Sequence, residues 1–82
     1  MPRVVLPSDL ANQFTDGANE ISVEAGDMRA LMREVDARFP GLKAALDAKM
    51  FVSIDGFVIP DPFLELLSPS SEVCFLPRIK GG

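Results

Sequence analysis

The chain has 82 residues, a formal net charge of −4, 48% apolar residues and 24% charged residues. A chain this short buries only about 60–65% of the surface its unfolded form exposes, which gives one domain with a thin core and no room for a deep catalytic cleft. The apolar content excludes disorder, and the lack of any basic block argues against nucleic acid or an anionic membrane surface as partner, since both need clustered Lys and Arg.

Val4-Val5-Leu6 is short and β-branched and is stopped by Pro7, so it reads as a strand. Pro7-Ser8-Asp9 reads as a turn, and the pattern of Leu10 to Phe14 is ambiguous. Thr15 to Asn19 is a turn cluster centred on Asp16-Gly17. Glu20 to Glu24 alternates polar and apolar with period two, the pattern of a half-buried strand. Asp27 is placed to cap a helix whose apolar residues Met28, Leu31, Met32, Val35 and Phe39 form one stripe. Arg38 favours the negative end of that helix, and Pro40-Gly41 ends it. A shorter helix is predicted from Leu42 to Ala48.

Phe51 to Ile54 reads as a strand running into Asp55-Gly56, a tight-turn pair, with Phe57 to Ile59 returning from it. Pro60-Asp61-Pro62 is a rigid bend. Phe63 to Leu67 reads as a turn of helix that carries Phe63, Leu66 and Leu67 inward. Glu72 to Leu76 is nearly all apolar, as in a strand at the centre of a sheet. Pairing should fail at Pro77, which lacks a backbone N–H. The order predicts an α+β layer pair: a β-grasp (ubiquitin-like) fold with a mixed four- to five-stranded sheet and one main helix packed across one face. The domain is placed at 1–76 and a flexible C-terminal tail at 77–82.

Histidine is absent. That removes the usual base near neutral pH and every Ser–His or Cys–His nucleophile pair. Cys74 stands alone, so neither an internal disulfide nor a cysteine metal cluster is expected, and a reducing compartment is suited. It reads as a small apolar filler. No carboxylate pair has the spacing of a metal site, and the isolated glycines form no phosphate loop. The first residues are too short a run for a signal sequence, no stretch is long enough for a membrane span, and a cytoplasmic location follows by default.

The tail Pro77-Arg78-Ile79-Lys80-Gly81-Gly82 follows the last strand. By chance Gly-Gly closes a chain roughly once in 200, taking Gly at about 7% of residues, so the doublet gains weight only from its place just beyond a β-grasp strand. Here the sequence resembles the ubiquitin-like sulfur carriers of the MoaD, ThiS and CysO types. The resemblance rests on Ser71-Glu72-Val73-Cys74-Phe75-Leu76-Pro77 with Gly81-Gly82 beyond it, on Val23-Glu24 leading through Asp27 into the helix and out at Phe39-Pro40-Gly41-Leu42, and on Leu6-Pro7-Ser8-Asp9-Leu10 with Phe14-Thr15-Asp16-Gly17. The helix ending is closer to the MoaD and CysO types than to ThiS. Arg78, Lys80 and Ser71 depart from the family, where small or neutral residues precede Gly-Gly and an acidic residue or Gly is usual at position 71.

The resemblance implies a carrier rather than an enzyme, or the small non-catalytic subunit of a synthase. The carboxylate of Gly82 is adenylated by an E1-like enzyme of the MoeB/ThiF type and converted by a sulfur donor to a thiocarboxylate. A sulfur-accepting synthase subunit then receives the sulfur, in molybdopterin or cysteine synthesis rather than thiamine synthesis. No cofactor is bound, ATP being used by the activating enzyme, and the free carrier is a monomer. The alternative is a prokaryotic ubiquitin-like modifier that forms isopeptide bonds with lysines. Gly lets the backbone enter a narrow channel. Arg78, Ile79 and Lys80 are candidate partner contacts, Ile79 for an apolar slot. Strand alternation puts Val73, Phe75, Val52 and Ile54 in the core and Phe51, Cys74 and Leu76 on the open face. Phe51, Leu76, Pro77 and Arg78 through Gly81 form the proposed partner-binding set.

Overall fold

The computed structural model describes residues 1–47 and 50–77. Along the chain run β1 (Arg3–Val5), α1 (Ser8–Phe14), β2 (Glu20–Ser22), α2 (Met28–Arg38), α3 (Leu42–Asp47), β3 (Met50–Ile54), β4 (Phe57–Ile59), a 3-10 turn (Pro62–Leu64) and β5 (Glu72–Pro77). The expectations placed on Arg78, Ile79, Lys80, Gly81 and Gly82, and the last residue of the second helix, Ala48, lie outside the described residues.

The strands form one sheet in the order β2-β1-β5-β3-β4. β1 and β5 are parallel at its centre, while β2 pairs antiparallel with β1 and β3 antiparallel with β5 and β4. With α2 across one face this is the β-grasp arrangement. Helix α2 starts as its sequence dictates: the Asp27 carboxylate accepts from the Ala30 N–H at 2.8 Å, satisfying one of the donors that a helix start leaves free. Its stripe of Met28, Leu31, Met32 and Val35 is buried, in one cluster with Val4, Ile21, Val52, Val73 and Phe75. The β3–β4 turn has Asp55 at φ 51° and Gly56 at φ 88°. Two successive positive φ values are what a two-residue hairpin turn of matching twist requires.

Three expectations change. Ser8 to Phe14 is a helix, with Leu10 and Ala11 buried. Gly41, at the start of α3, has φ 95°, which favours glycine, and the Phe14 ring of α1 would come within 3.3 Å of a Cβ there. The inward turn of helix at 63–67 is instead a 3-10 turn followed by an extended strap. Phe63, Leu64 and Leu66 point outward and only Leu67 is buried. The strap is fixed by its backbone: the Met28 N–H donates to the Glu65 carbonyl at 3.1 Å and the Leu67 N–H to the Gly26 carbonyl at 2.9 Å. Finally, β5 continues through Pro77, which stands opposite Met50. β1 has ended by then, its Val5 facing Cys74. At Pro77 the strand therefore has a neighbour on one side only, an edge position in which proline is tolerated.

Candidate docking face

Cross-strand partners share a face of a sheet, so the register fixes what the face opposite α2 carries. Phe51 stands opposite Leu76, and Ser53 opposite both Cys74 and Val58. Val5 stands opposite Cys74, and Arg3 opposite Glu72. Apart from the buried Ser53, these side chains are at least partly exposed. Val58 is 58% exposed, Phe51 44% and Leu76 43%, and they adjoin the half-buried Val5 and Cys74. The result is an apolar strip across β4, β3 and β5. Exposed apolar groups that are contiguous, rather than scattered, mark an interaction surface.

The other end of the face is charged. Arg3 reaches Glu72 at 3.3 Å and Glu20 at 3.8 Å. Pairs this exposed contribute at most about 1 kcal/mol to stability, but a fixed charge cluster beside an apolar strip gives a docking partner an orientation. Asp55 ties the hairpin turn to the start of β5: its N–H donates to the Glu72 carbonyl and its carboxylate accepts from the Glu72 N–H, both at 2.9 Å.

The surroundings of Cys74 disfavour its thiolate. Burial pushes its thiol above the ordinary range; the Ser53 hydroxyl opposes that shift, and the neighbouring Glu72 charge adds to it. The thiol donates to the Glu72 carboxylate at 3.7 Å. The Arg3 charge, of the kind that favours a thiolate, acts in the opposite sense but is the smallest of these influences. Among the described residues no group of three His, Cys, Asp or Glu could hold a metal ion, and no helix is long and apolar enough to cross a membrane.

Of the residues singled out in the sequence, Phe51, Leu76 and Pro77 come together at one end of β3 and β5, and Cys74 lies on the same face as Leu76. Gly82, Gly81, Lys80, Ile79 and Arg78 lie outside the described residues. Val58 was missed, although the two-residue Asp55-Gly56 turn already sets it opposite Ser53. The Arg3–Glu72 pair was missed because it depends on the parallel register of β1 and β5, which no local signal encodes. Ser71 has a structural role: buried, it accepts from the Ser68 N–H at 2.9 Å and closes the loop before β5.

No protein-family model and no curated protein matches the sequence. Among solved structures, a chain of the Amycolatopsis orientalis BexX/CysO complex superposes with a TM-score of 0.86 at 19% identity, covering all of both chains. Mycobacterium tuberculosis CysO, described as an antigen, superposes with a TM-score of 0.85 at 14% identity, over 96% of this chain and all of that one. At such identities the likeness is one of fold, and over its whole length this chain has a β-grasp fold similar to those two structures.

Proposed function

We propose that this chain is a sulfur carrier of the cysteine-synthesis type, in which residues 1–77 form the docking domain and 78–82 the reactive tail. The observation that carries the reading is the position of Pro77. It is the last residue of β5, next to the exposed Leu76 that faces Phe51, so residues 78–82 begin at the rim of the apolar strip. A partner held on that strip has Gly82 within reach, because five extended residues span at most about 18 Å. The fold likeness to two CysO structures, one in complex with BexX, supports a carrier that works through other proteins.

With Gly82 as the terminal residue, the chemistry follows from its carboxylate. A carboxylate is a poor electrophile. In the active site of an E1-like enzyme of the MoeB/ThiF type, one carboxylate oxygen attacks the α-phosphorus of ATP and expels pyrophosphate. A hydrosulfide equivalent from the sulfur donor then adds to the acyl carbon and expels AMP. The sulfur of the resulting thiocarboxylate attacks an electrophilic carbon of an acceptor bound to a synthase subunit and expels its leaving group, and water then cleaves the acyl–sulfur bond, releasing the thiolated acceptor and restoring the Gly82 carboxylate. The carrier supplies docking and access, the partner supplies catalytic groups, and the missing histidine costs nothing. The setting is cytoplasmic.

Pyrophosphate release tests the first step. An E1-like adenylating enzyme with ATP is expected to release pyrophosphate only when the chain is present. Deleting Gly82 is expected to abolish release, and Leu76→Glu to lower it about tenfold at subsaturating carrier, the effect of about 1.4 kcal/mol of lost docking. Release that ignores both changes contradicts the proposal.

A further inference from the structure

The helix-covered side of the sheet is not fully closed. Between α2, α3, β3 and the 3-10 turn lies a cleft of about 290 Å³. Met28, Met32, Met50, Val52, Phe63 and Phe75 line it. The gap has a local cause. β4 is a three-residue edge strand whose Ile59 is only half-buried, and the turn after it holds Phe63 as one wall of the cleft while leaving the ring 43% exposed. A closed cavity of about 150 Å³ with a similar lining accepts benzene, so this cleft has space for an apolar body larger than one such ring. Thioethers and aromatic rings adapt to irregular apolar shapes, and an apolar hollow with few polar groups at its mouth is the usual form of a small-molecule site.

The mouth is charged asymmetrically. A shallower hollow shares Met32 and Phe63 with the cleft and is walled by Arg29 and Lys43. Lys43 donates to Asp47 at 3.0 Å, and Asp47 itself lines the cleft, so this pair is internally neutral. Arg29 is exposed and has no hydrogen-bond or ion-pair partner among the described residues. Among the described residues, two cations thus line the hollow beside the cleft against the one anion of the cleft wall, and the uncommitted cation is a guanidinium, whose planar fork matches a carboxylate.

We propose that this cleft is a binding site for a small amphipathic carboxylate, its apolar body against Met32, Val52 and Phe75 and its carboxylate on Arg29. Phe51 and Val58 of the exposed strip also border the cleft, whereas Leu76 does not; the assignment holds whether or not the chain carries sulfur.

The test titrates the ¹⁵N-labelled chain with octanoate and, separately, with octylammonium, following amide shifts. Octanoate is expected to shift the Met32, Val52 and Phe63 amides saturably and to bind at least fivefold more tightly than octylammonium. Arg29→Glu, an exposed change, is expected to weaken octanoate at least fivefold, and Phe63→Ser to do the same with the circular dichroism spectrum retained. Leu76→Glu is expected to leave the octanoate affinity unchanged. Equal affinity for the two amphiphiles, shifts centred on Leu76, the absence of saturable shifts, or unchanged octanoate binding by Arg29→Glu would each overturn the assignment.

Discussion

Phe51 of β3 and Leu76 of β5 face each other directly across the antiparallel ladder, and both remain more than two-fifths exposed, at 44% and 43%. Their partners on the other face, Val52 and Phe75, are buried in the core. One strand pair therefore holds the fold together with one set of side chains and leaves the other set exposed, where the proposed docking surface lies. Leu76→Glu separates the two roles. It is expected to change stability by no more than about 1 kcal/mol, the scale of one cross-strand pair. It is expected to weaken binding to the activating enzyme about tenfold, the scale of one interface contact. Thermal melting and calorimetric titration measure the two; a variant that unfolds would place Leu76 in the core instead.

Leu31 sits on the other side of that division. It is fully buried in the middle of α2. Leu31→Ala is expected to cost about 2–5 kcal/mol from lost transfer energy and the cavity left behind. In a domain of this size that is a large fraction of the total stability. Urea unfolding followed by circular dichroism reads it as a lower midpoint with an unchanged slope.

The α2 cap makes a smaller, local prediction. Asp27→Ala removes the acceptor for the Ala30 N–H and is expected to cost about 0.5–2 kcal/mol, while Asp27→Asn or Asp27→Ser retains most of it. Amide exchange should quicken at Ala30 without a comparable change in the sheet. Equal exchange in wild type and Asp27→Ala would mean that the cap contributes nothing.

Cys74 gives a prediction in pH. Burial first, and then the Glu72 charge, raise its thiol above the ordinary range. A raised value means less thiolate at any pH below it, so iodoacetamide should alkylate folded Cys74 more slowly than a free cysteine at pH 8. The rate should keep climbing with pH beyond the point where the free thiol levels off. Glu72→Gln is expected to speed the reaction by removing one of the raising influences. Alkylation as fast as in the unfolded chain would contradict the burial of the thiol.

The elements that could be read from the residues are those whose signal is local. The Asp27 cap, the α2 stripe and the Asp55-Gly56 turn each occupy a few consecutive positions, and the alternation in 72–76 assigned Val73 and Phe75 to the core and Cys74 and Leu76 to the open face. Helix α1 escaped because Pro7 precedes it with no side-chain cap and because its one apolar turn becomes meaningful only where Phe14 meets Gly41. The strap at 62–67 escaped because its backbone bonds go to Gly26 and Met28, far away in sequence. Hence nothing in its own pattern says that Phe63 and Leu66 face outward. The cleft is assembled from four separate segments and has no sequence signature. The Phe51–Leu76 part of the docking face was legible from strand alternation, whereas its charged end required the β1–β5 register.

In the proposed function the Gly82 carboxylate is the group that partners act on. Intact-mass measurement of the chain after incubation with an E1-like adenylating enzyme, ATP and a sulfur donor tests it most directly. A mass increase equal to replacing one oxygen by sulfur is expected, located in the C-terminal peptide and absent when Gly82 is deleted. Conjugates on lysines of other proteins would show the modifier chemistry instead of the carrier's. An unchanged mass with the cognate enzyme, while the fold is intact, would contradict the account.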